Sequence, residues 1–189
     1  MSVIEIRNLN IIGVFEITQK PVLDSRGFFM RAYDVNIMKD YGIYREWVQE
    51  NHSKTLKKNT IRGLHFQLPP FSETKLVRCI RGKILDVFVD LRKDSKTFGQ
   101  WGAVELSEDN YKMLYIPRGF AHGFCTLTDD CEVYYKVDNF YSPEHEVGIA
   151  WNDETLKINW PTQEPIVSEK DSKNISLDEF IKNYKWIET

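Results

Sequence analysis

The sequence predicts an all-β fold, an antiparallel sandwich or barrel with a few short helices at its periphery. Three observations carry that reading. Short apolar runs with period-2 sorting recur along the chain, turn residues separate them, and the clearest helical periodicity is at the C-terminus. Strands at this spacing point away from a succession of βαβ units.

The first strand is expected over Ile11–Ile17, after which Asp24-Ser25-Arg26-Gly27 marks a turn. Thr60–Gln67 and Lys75–Arg81 follow, divided by Leu68-Pro69-Pro70. Arg81-Gly82 then leads into Ile84–Leu91, the plainest strand pattern in the chain. Alternation there puts Leu85, Val87, Val89 and Leu91 on one face and Asp86, Phe88 and Asp90 on the other. Two carboxylates beside Phe88 fit either a polar interior or a solvated sheet face, and the solvated face is the simpler expectation. Lys112–Ile116, Gly123–Leu127 and Glu132–Val137 complete the strands, with turns at Pro117-Arg118-Gly119 and Ser142-Pro143. A helix is expected over residues 176–186, because Ser176 and Glu179 form a capping box and Leu177, Phe180, Ile181 and Tyr184 share a face.

The 189 residues are 42% hydrophobic and 13% aromatic, too apolar for a disordered chain and sized for one domain over 1–189. No apolar run reaches the roughly 20 residues of a membrane span, so no membrane partner is expected. Glu5 and Arg7 interrupt the first apolar stretch, which argues against a signal peptide. A net charge of −3 without a polybasic tract argues against nucleic acid. Cys79, Cys125 and Cys131 are odd in number and form no CxxC pair, as reduced thiols in a cytoplasmic protein would.

Only four histidines are present: His52, His65, His122 and His145. A divalent metal needs three or four convergent ligands, and His65-Phe66-Gln67 has no carboxylate at metal-ligand spacing, so no metal site is expected. What remains is a set suited to proton transfer: His65, Lys75, His122, the Tyr134-Tyr135-Lys136 run and Asp171. Each alone also fits a structural role, the histidines in the core, the tyrosines in packing and Asp171 as a cap.

Seven segments, taken in order, carry a resemblance. They are Asp24-Ser25-Arg26-Gly27-Phe28-Phe29, Val48-Gln49-Glu50-Asn51-His52-Ser53, Arg62-Gly63-Leu64-His65-Phe66-Gln67 and Lys75-Leu76-Val77-Arg78. Asp86-Val87-Phe88-Val89-Asp90-Leu91-Arg92, Ile116-Pro117-Arg118-Gly119-Phe120-Ala121-His122-Gly123-Phe124 and Ser168-Glu169-Lys170-Asp171 complete the series. Together the chain resembles the dTDP-4-dehydrorhamnose 3,5-epimerase family from about residue 10 to 171.

The resemblance implies a metal-free, cofactor-free jelly roll of the cupin type, usually a homodimer, acting on a nucleoside-diphosphate 4-keto-6-deoxyhexose. It implies that His65 is the general base, oriented by Asp171. Lys75 would sit by the C4 oxygen with His122 in the sugar pocket, and Tyr135 would be the acid on the opposite face. Arg26 and Arg62 would hold the diphosphate, and Phe29, Gln49 and Asn51 the nucleoside. The apolar segment Ile11–Phe15 is expected to pair with a partner, its strand exchanged across the dimer.

Three features complicate that transfer. Strict alternation puts Arg62 and His65 on opposite faces of one strand, unless Gly63 permits a bulge or Arg62 lies at the strand's mouth. Arg31 stands where the family typically carries a Glu that reaches the base, so a CDP or GDP sugar stays open beside dTDP. Glu73-Thr74 replaces the family's usual Gln-Gly before the strand lysine. Inversion at one carbon alone, a non-catalytic sugar-nucleotide-binding cupin and a metal-dependent cupin are the competing readings.

Overall fold

Residues 4–184 are described by a computed structural model. In chain order the elements are β1 (Ile4–Asn8), β2 (Phe15–Gln19), β3 (Val22–Asp24), β4 (Gly27–Phe29) and α1 (Val35–Asp40). Next come β5 (Gln49–Thr55), β6 (Thr60–Gln67), β7 (Lys75–Arg81), β8 (Lys83–Asp90), β9 (Trp101–Ser107) and β10 (Lys112–Ile116). The remainder are β11 (Phe120–Thr126), β12 (Cys131–Val137), β13 (Glu146–Gly148), β14 (Ile166–Val167) and α2 (Leu177–Tyr184). One six-stranded sheet runs β1-β2-β10-β7-β12-β5. A second runs β13-β6-β11-β8-β9, with β14 pairing β6, and β3 and β4 form a separate hairpin. All these pairings are antiparallel except that of β14 with β6, and the fold is the jelly roll the sequence implies.

Val77, Phe88, Leu106, Leu114 and Val133 meet between the sheets as one apolar cluster. The opposite face of β8 carries Val87, Val89 and Leu91 into a second cluster, which is covered by Trp160, Leu177 and Phe180 from the C-terminal segment. There α2 begins as expected: Glu179 Oε2 accepts from Ser176 N at 2.9 Å, and Glu179 N donates to Ser176 Oγ at 3.1 Å. Burial of a side chain such as Phe180 contributes about 1.5–3 kcal/mol. Positions 185 and 186 of the expected helix lie outside the described residues. A third cluster, with Ile17, Leu76 and Met113, is covered by Met38 of α1 and Ile43.

The alternation read in β8 holds, but its polar face is not solvated. Asp86 and Asp90 are both 0% exposed: Asp86 is paired with His122 of β11, and Asp90 with the turn that follows β8, neither of which period-2 patterning sees. Asp90 accepts from Arg92 N, Nε and Nη2 at 3.0, 2.9 and 2.7 Å, and from Ser95 Oγ and Thr97 Oγ1, both at 2.6 Å. Burial pushes its pKa up, but these donors outweigh burial and hold the carboxyl below its ordinary value. Arg92 Nη2 also donates to Ile12 O at 2.9 Å, which ties this cluster to the N-terminal turn. Asp90→Ala strands the guanidinium, an expected cost of about 3–5 kcal/mol. At roughly 2–4 °C per kcal/mol for a chain of this size, calorimetry should show the melting temperature falling by about 6–20 °C. A fall below about 3 °C would show the cluster to be dispensable.

The strand expected from Ile11 begins instead at Phe15. Ile11–Gly13 form a turn, closed by Val14 N donating to Ile11 O at 3.2 Å. Ile11 and Val14 then pack into the chain's own core, while β1 pairs with β2 of the same chain. Exposed apolar surface lies further on, in the β3–β4 hairpin, where Val22, Leu23, Phe28 and Phe29 are each more than half exposed.

Candidate active site

A glycine decides how β6 presents its side chains. His122 of β11 faces His65, but Phe124 faces Arg62, so three steps on β6 match two on β11. The extra residue is a bulge at Gly63, whose φ is +111°. A Cβ there would lie 2.7 Å from both Gly123 Cα and His122 O, so no larger residue fits. The bulge resolves the conflict with strict alternation, and Arg62 and His65 both line one cavity of about 500 Å³.

That cavity opens between the sheets. β6 and β11 supply Arg62, His65 and His122, β5, β7 and β12 supply Ser53, Lys75 and Tyr135, and Lys170 and Asp171 close one side. His65 Nε2 lies 2.7 Å from Asp171 Oδ1, and Asp171 Oδ2 accepts from Gly63 N at 3.0 Å. Burial raises the Asp171 pKa, but the His65 and Gly63 hydrogen bonds outweigh it and hold the carboxyl below its ordinary value. Asp171 is therefore an acceptor at neutral pH, which puts the imidazole proton on Nε2 and leaves Nδ1 free to take another. By the same shift, its stabilising contribution is complete above the ordinary carboxyl value of about 4 and is lost as pH falls through its lowered value.

The other members are equally held. His122 Nε2 lies 2.7 Å from Asp86 Oδ1, which is the role of the first buried carboxylate of β8. Lys75 opens β7, its side chain 11% exposed, with Nζ 2.9 Å from Glu73 Oε1. Tyr135 lies beside Val77 on β7 and Asn51 on β5, with its side chain turned into the cavity. Its neighbour Tyr134 alternates outward and donates to Glu50. Among the described residues no group of three or more His, Cys, Asp or Glu side chains is placed to hold a metal ion.

The model of the dTDP-4-dehydrorhamnose 3,5-epimerase family matches residues 8–179. The chain belongs to that family. It is 49% identical over 162 residues to the dTDP-4-dehydrorhamnose 3,5-epimerase of Shigella flexneri, covering 84% of this chain and 89% of the relative. The Bacillus anthracis enzyme, solved with TDP and PPi bound, superposes with a TM-score of 0.90 at 44% identity, covering 92% of this chain and 99% of the other. The Legionella pneumophila enzyme, solved in complex with dTDP-4-keto-L-rhamnose, has a TM-score of 0.91 at 36% identity and 98% coverage of both chains.

This epimerase, an isomerase with a cupin-like jelly roll, thus gathers His65, Lys75, His122, Tyr135, Asp171 and Arg62 around one cavity. Gln49 and Asn51 lie on the same face of β5 as Ser53, which lines the cavity, but do not line it themselves, and Gln49 Nε2 donates to Asn51 Oδ1 at 3.0 Å. Arg26, Phe29 and Arg31 are not among the residues lining it. Arg26 is exposed and pairs with Asp24 at 2.6 Å, and Phe29 is exposed on the hairpin. Arg31 Nη1 donates to Asp34 Oδ2 at 3.0 Å, so it is turned toward the N-cap of α1. The residues expected to hold the nucleoside and diphosphate are therefore split: Arg62 lines the cavity, Gln49 and Asn51 lie on β5, and Arg26 and Phe29 lie on the hairpin.

Residues not singled out from the sequence complete the mouth. Tyr141 Oη and Lys170 Nζ each donate to Glu146 Oε2 at 2.7 Å. The hydrogen bond to Glu146 raises the pKa of both Tyr141 and Lys170. Lys170 sits inside the Ser168–Asp171 motif and was legible beside Asp171, whereas Tyr141 and Glu146 flank an irregular turn with no spacing signal.

Proposed function

We propose that this epimerase inverts C3 and C5 of dTDP-4-dehydro-6-deoxy-D-glucose, giving dTDP-4-dehydro-L-rhamnose. The observation that carries the reading is the oriented His65–Asp171 pair sharing one cavity with Lys75 and Tyr135. A ketone α-proton is a weaker acid than imidazolium by roughly ten pKa units, a gap on the order of 14 kcal/mol. A base alone cannot close it, so the enolate oxygen must meet a fixed donor, and the Lys75 ammonium is that donor.

His65 Nδ1 takes the proton from carbon, the C–H electron pair becomes the C=C bond to C4, and the carbonyl π pair moves onto the C4 oxygen. Tyr135 then donates its phenolic proton to the opposite face as the ketone re-forms, and the carbon is inverted. Each cycle leaves an imidazolium and a phenolate, which exchange protons with water before the second carbon reacts. Arg62 Nε donates to Thr55 Oγ1 at 2.9 Å and its Nη2 to Lys54 O at 3.2 Å, which leaves Nη1 and the guanidinium charge for the diphosphate. The Arg31–Asp34 contact favours thymine, whose ring N–H would gain nothing from an arginine. His122, held by Asp86, lines the sugar pocket.

The working form in this proposal is a homodimer. The reading is supported by the hairpin of two three-residue strands with four exposed apolar side chains. The hairpin touches the rest of the chain through Phe28 and Tyr111 and leaves an apolar surface suited to a second copy. Seated on a second copy, it would carry Arg26 and Phe29 to the partner's cavity edge beside Gln49 and Asn51. The three unpaired, buried cysteines fit a reducing compartment, the cytoplasm. Burial pushes the Cys79 thiol up to about 12 and Cys125 to about 11, so neither is poised to react.

Proton NMR of the product's ring couplings tests the reaction, and sedimentation tests the assembly. Couplings of an L-rhamno ring and a dimer are expected. A ring inverted at C3 alone would make this a single-site epimerase, and a monomer at working concentration would overturn the shared nucleoside site.

A further inference from the structure

We propose that Glu73 is a positioning residue that keeps the Lys75 ammonium charged and aimed into the cavity; the inference rests on the epimerase reading above. The two carboxylate oxygens of Glu73 have separate partners. Oε1 lies 2.9 Å from Lys75 Nζ, and Oε2 accepts from Gln67 Nε2 at 3.1 Å. Gln67 is itself fixed, since its Nε2 reaches Phe71 O and Phe140 O at 3.0 and 3.2 Å, and its Oε1 accepts from Ser142 N at 2.6 Å. Between the pair, Thr74 N donates to Asp138 Oδ1 at 2.6 Å, which pins the turn. Glu73 is thereby anchored at one oxygen and holds Lys75 with the other.

The side chains of Lys75 and Glu73 are only 11% and 12% exposed, so the cation has little water to solvate it. A buried ammonium without a counter-charge sheds its proton. The other ionisable groups lining the space around Lys75 mostly have partners of their own. On β6 and β11, His65 is paired with Asp171 and His122 with Asp86. At the mouth, Glu146 is taken by Lys170 and Tyr141, Arg62 on β6 adds a like charge, and Tyr135 on β12 is the remaining titratable group. Glu73 is the carboxylate in contact with Lys75. An ammonium has three donors, and one directed to Glu73 leaves two for the substrate's C4 oxygen.

The test is the pH profile of kcat in Glu73→Gln, which keeps the side chain's shape and removes its charge, and in Glu73→Asp, which keeps the charge. Glu73→Gln should lower kcat at pH 8 by about tenfold or more, with the alkaline limb moved toward acid by about one pH unit and KM changed little. Glu73→Asp should lower kcat but leave that limb in place. In a Lys75→Met background, Glu73→Gln should have no further effect on kcat. An alkaline limb unmoved in Glu73→Gln, or an equal loss with and without Lys75, would overturn the proposal. Should Glu73→Gln not fold, the wild-type protein still decides, by ¹⁵N NMR of the lysine side chains at pH 9. A slowly exchanging Lys75 ammonium is expected there, and a neutral amine would overturn the assignment. A wild-type enzyme that exchanges no sugar protons at all would instead refute the epimerase reading, a separate outcome.

Discussion

His65→Ala is expected to lower kcat by about 10²–10⁴-fold, with KM for the nucleotide sugar changed little. Asp171 at 2.7 Å occupies Nε2 of His65 and leaves Nδ1 free, and Asp86 holds His122 in the same way. Of the two, the His65 side chain is the more open, 29% exposed against 10%. Removing it leaves Lys75 to polarise the ketone with no group to take the α-proton. The loss should appear equally in proton exchange and in net inversion, because both require the same deprotonation. Asp171 keeps its bond from Gly63 N, so the bulge should survive, but the buried carboxylate loses its His65 partner and the melting temperature should fall. Near-normal turnover in stopped assays would remove His65 from the base role.

Tyr135→Phe is expected to separate what His65→Ala loses together. It deletes one hydroxyl and keeps the ring between β5 and β7. With the base and Lys75 intact, the α-proton still leaves and returns from the His65 side, so exchange with solvent continues. Delivery to the opposite face fails, and net epimerisation should fall by about 10²–10⁴-fold. Loss of exchange and inversion together, or of neither, would contradict the assignment of Tyr135 as the acid.

The strands that sequence patterning located best are those with an apolar face toward the core. Thr60–Gln67, Lys75–Arg81 and Lys112–Ile116 are observed with the expected bounds. β11 begins at Phe120 rather than Gly123, directly after the Pro117-Arg118-Gly119 turn, which lies where it is expected. β5 carries no apolar alternation at all: Gln49, Asn51 and Ser53 share the cavity-side face while Glu50, His52 and Lys54 face outward. A strand built to line a binding site is therefore invisible to a hydrophobic-period search.

At the site, residue types point to a set of His65, Lys75, His122, the Tyr134-Tyr135-Lys136 run and Asp171, and the family resemblance picks Tyr135 within it, although His65 and Asp171 are 106 positions apart. What patterning could not supply was side-chain direction. Arg62 joins His65 only through the Gly63 bulge, a backbone feature that alternation rules do not contain. The carboxylates of β8 appeared solvated because alternation does not show their partners: His122 comes from β11, and Arg92 folds back from the turn just after Asp90. Arg26, Phe29 and Arg31 lie within one hairpin and its exit, and no intrachain contact brings them to the cavity. In the dimer proposed here Arg26 and Phe29 would serve the partner's cavity, while Arg31 stays with Asp34.

Enolisation without a cofactor is the centre of this account, and proton NMR in D₂O with dTDP-4-keto-6-deoxyglucose tests it most directly. The signals at C3 and C5 should both disappear in the presence of the wild-type protein, and both should persist with His65→Ala. Retention of both signals with the folded wild-type protein would contradict the account.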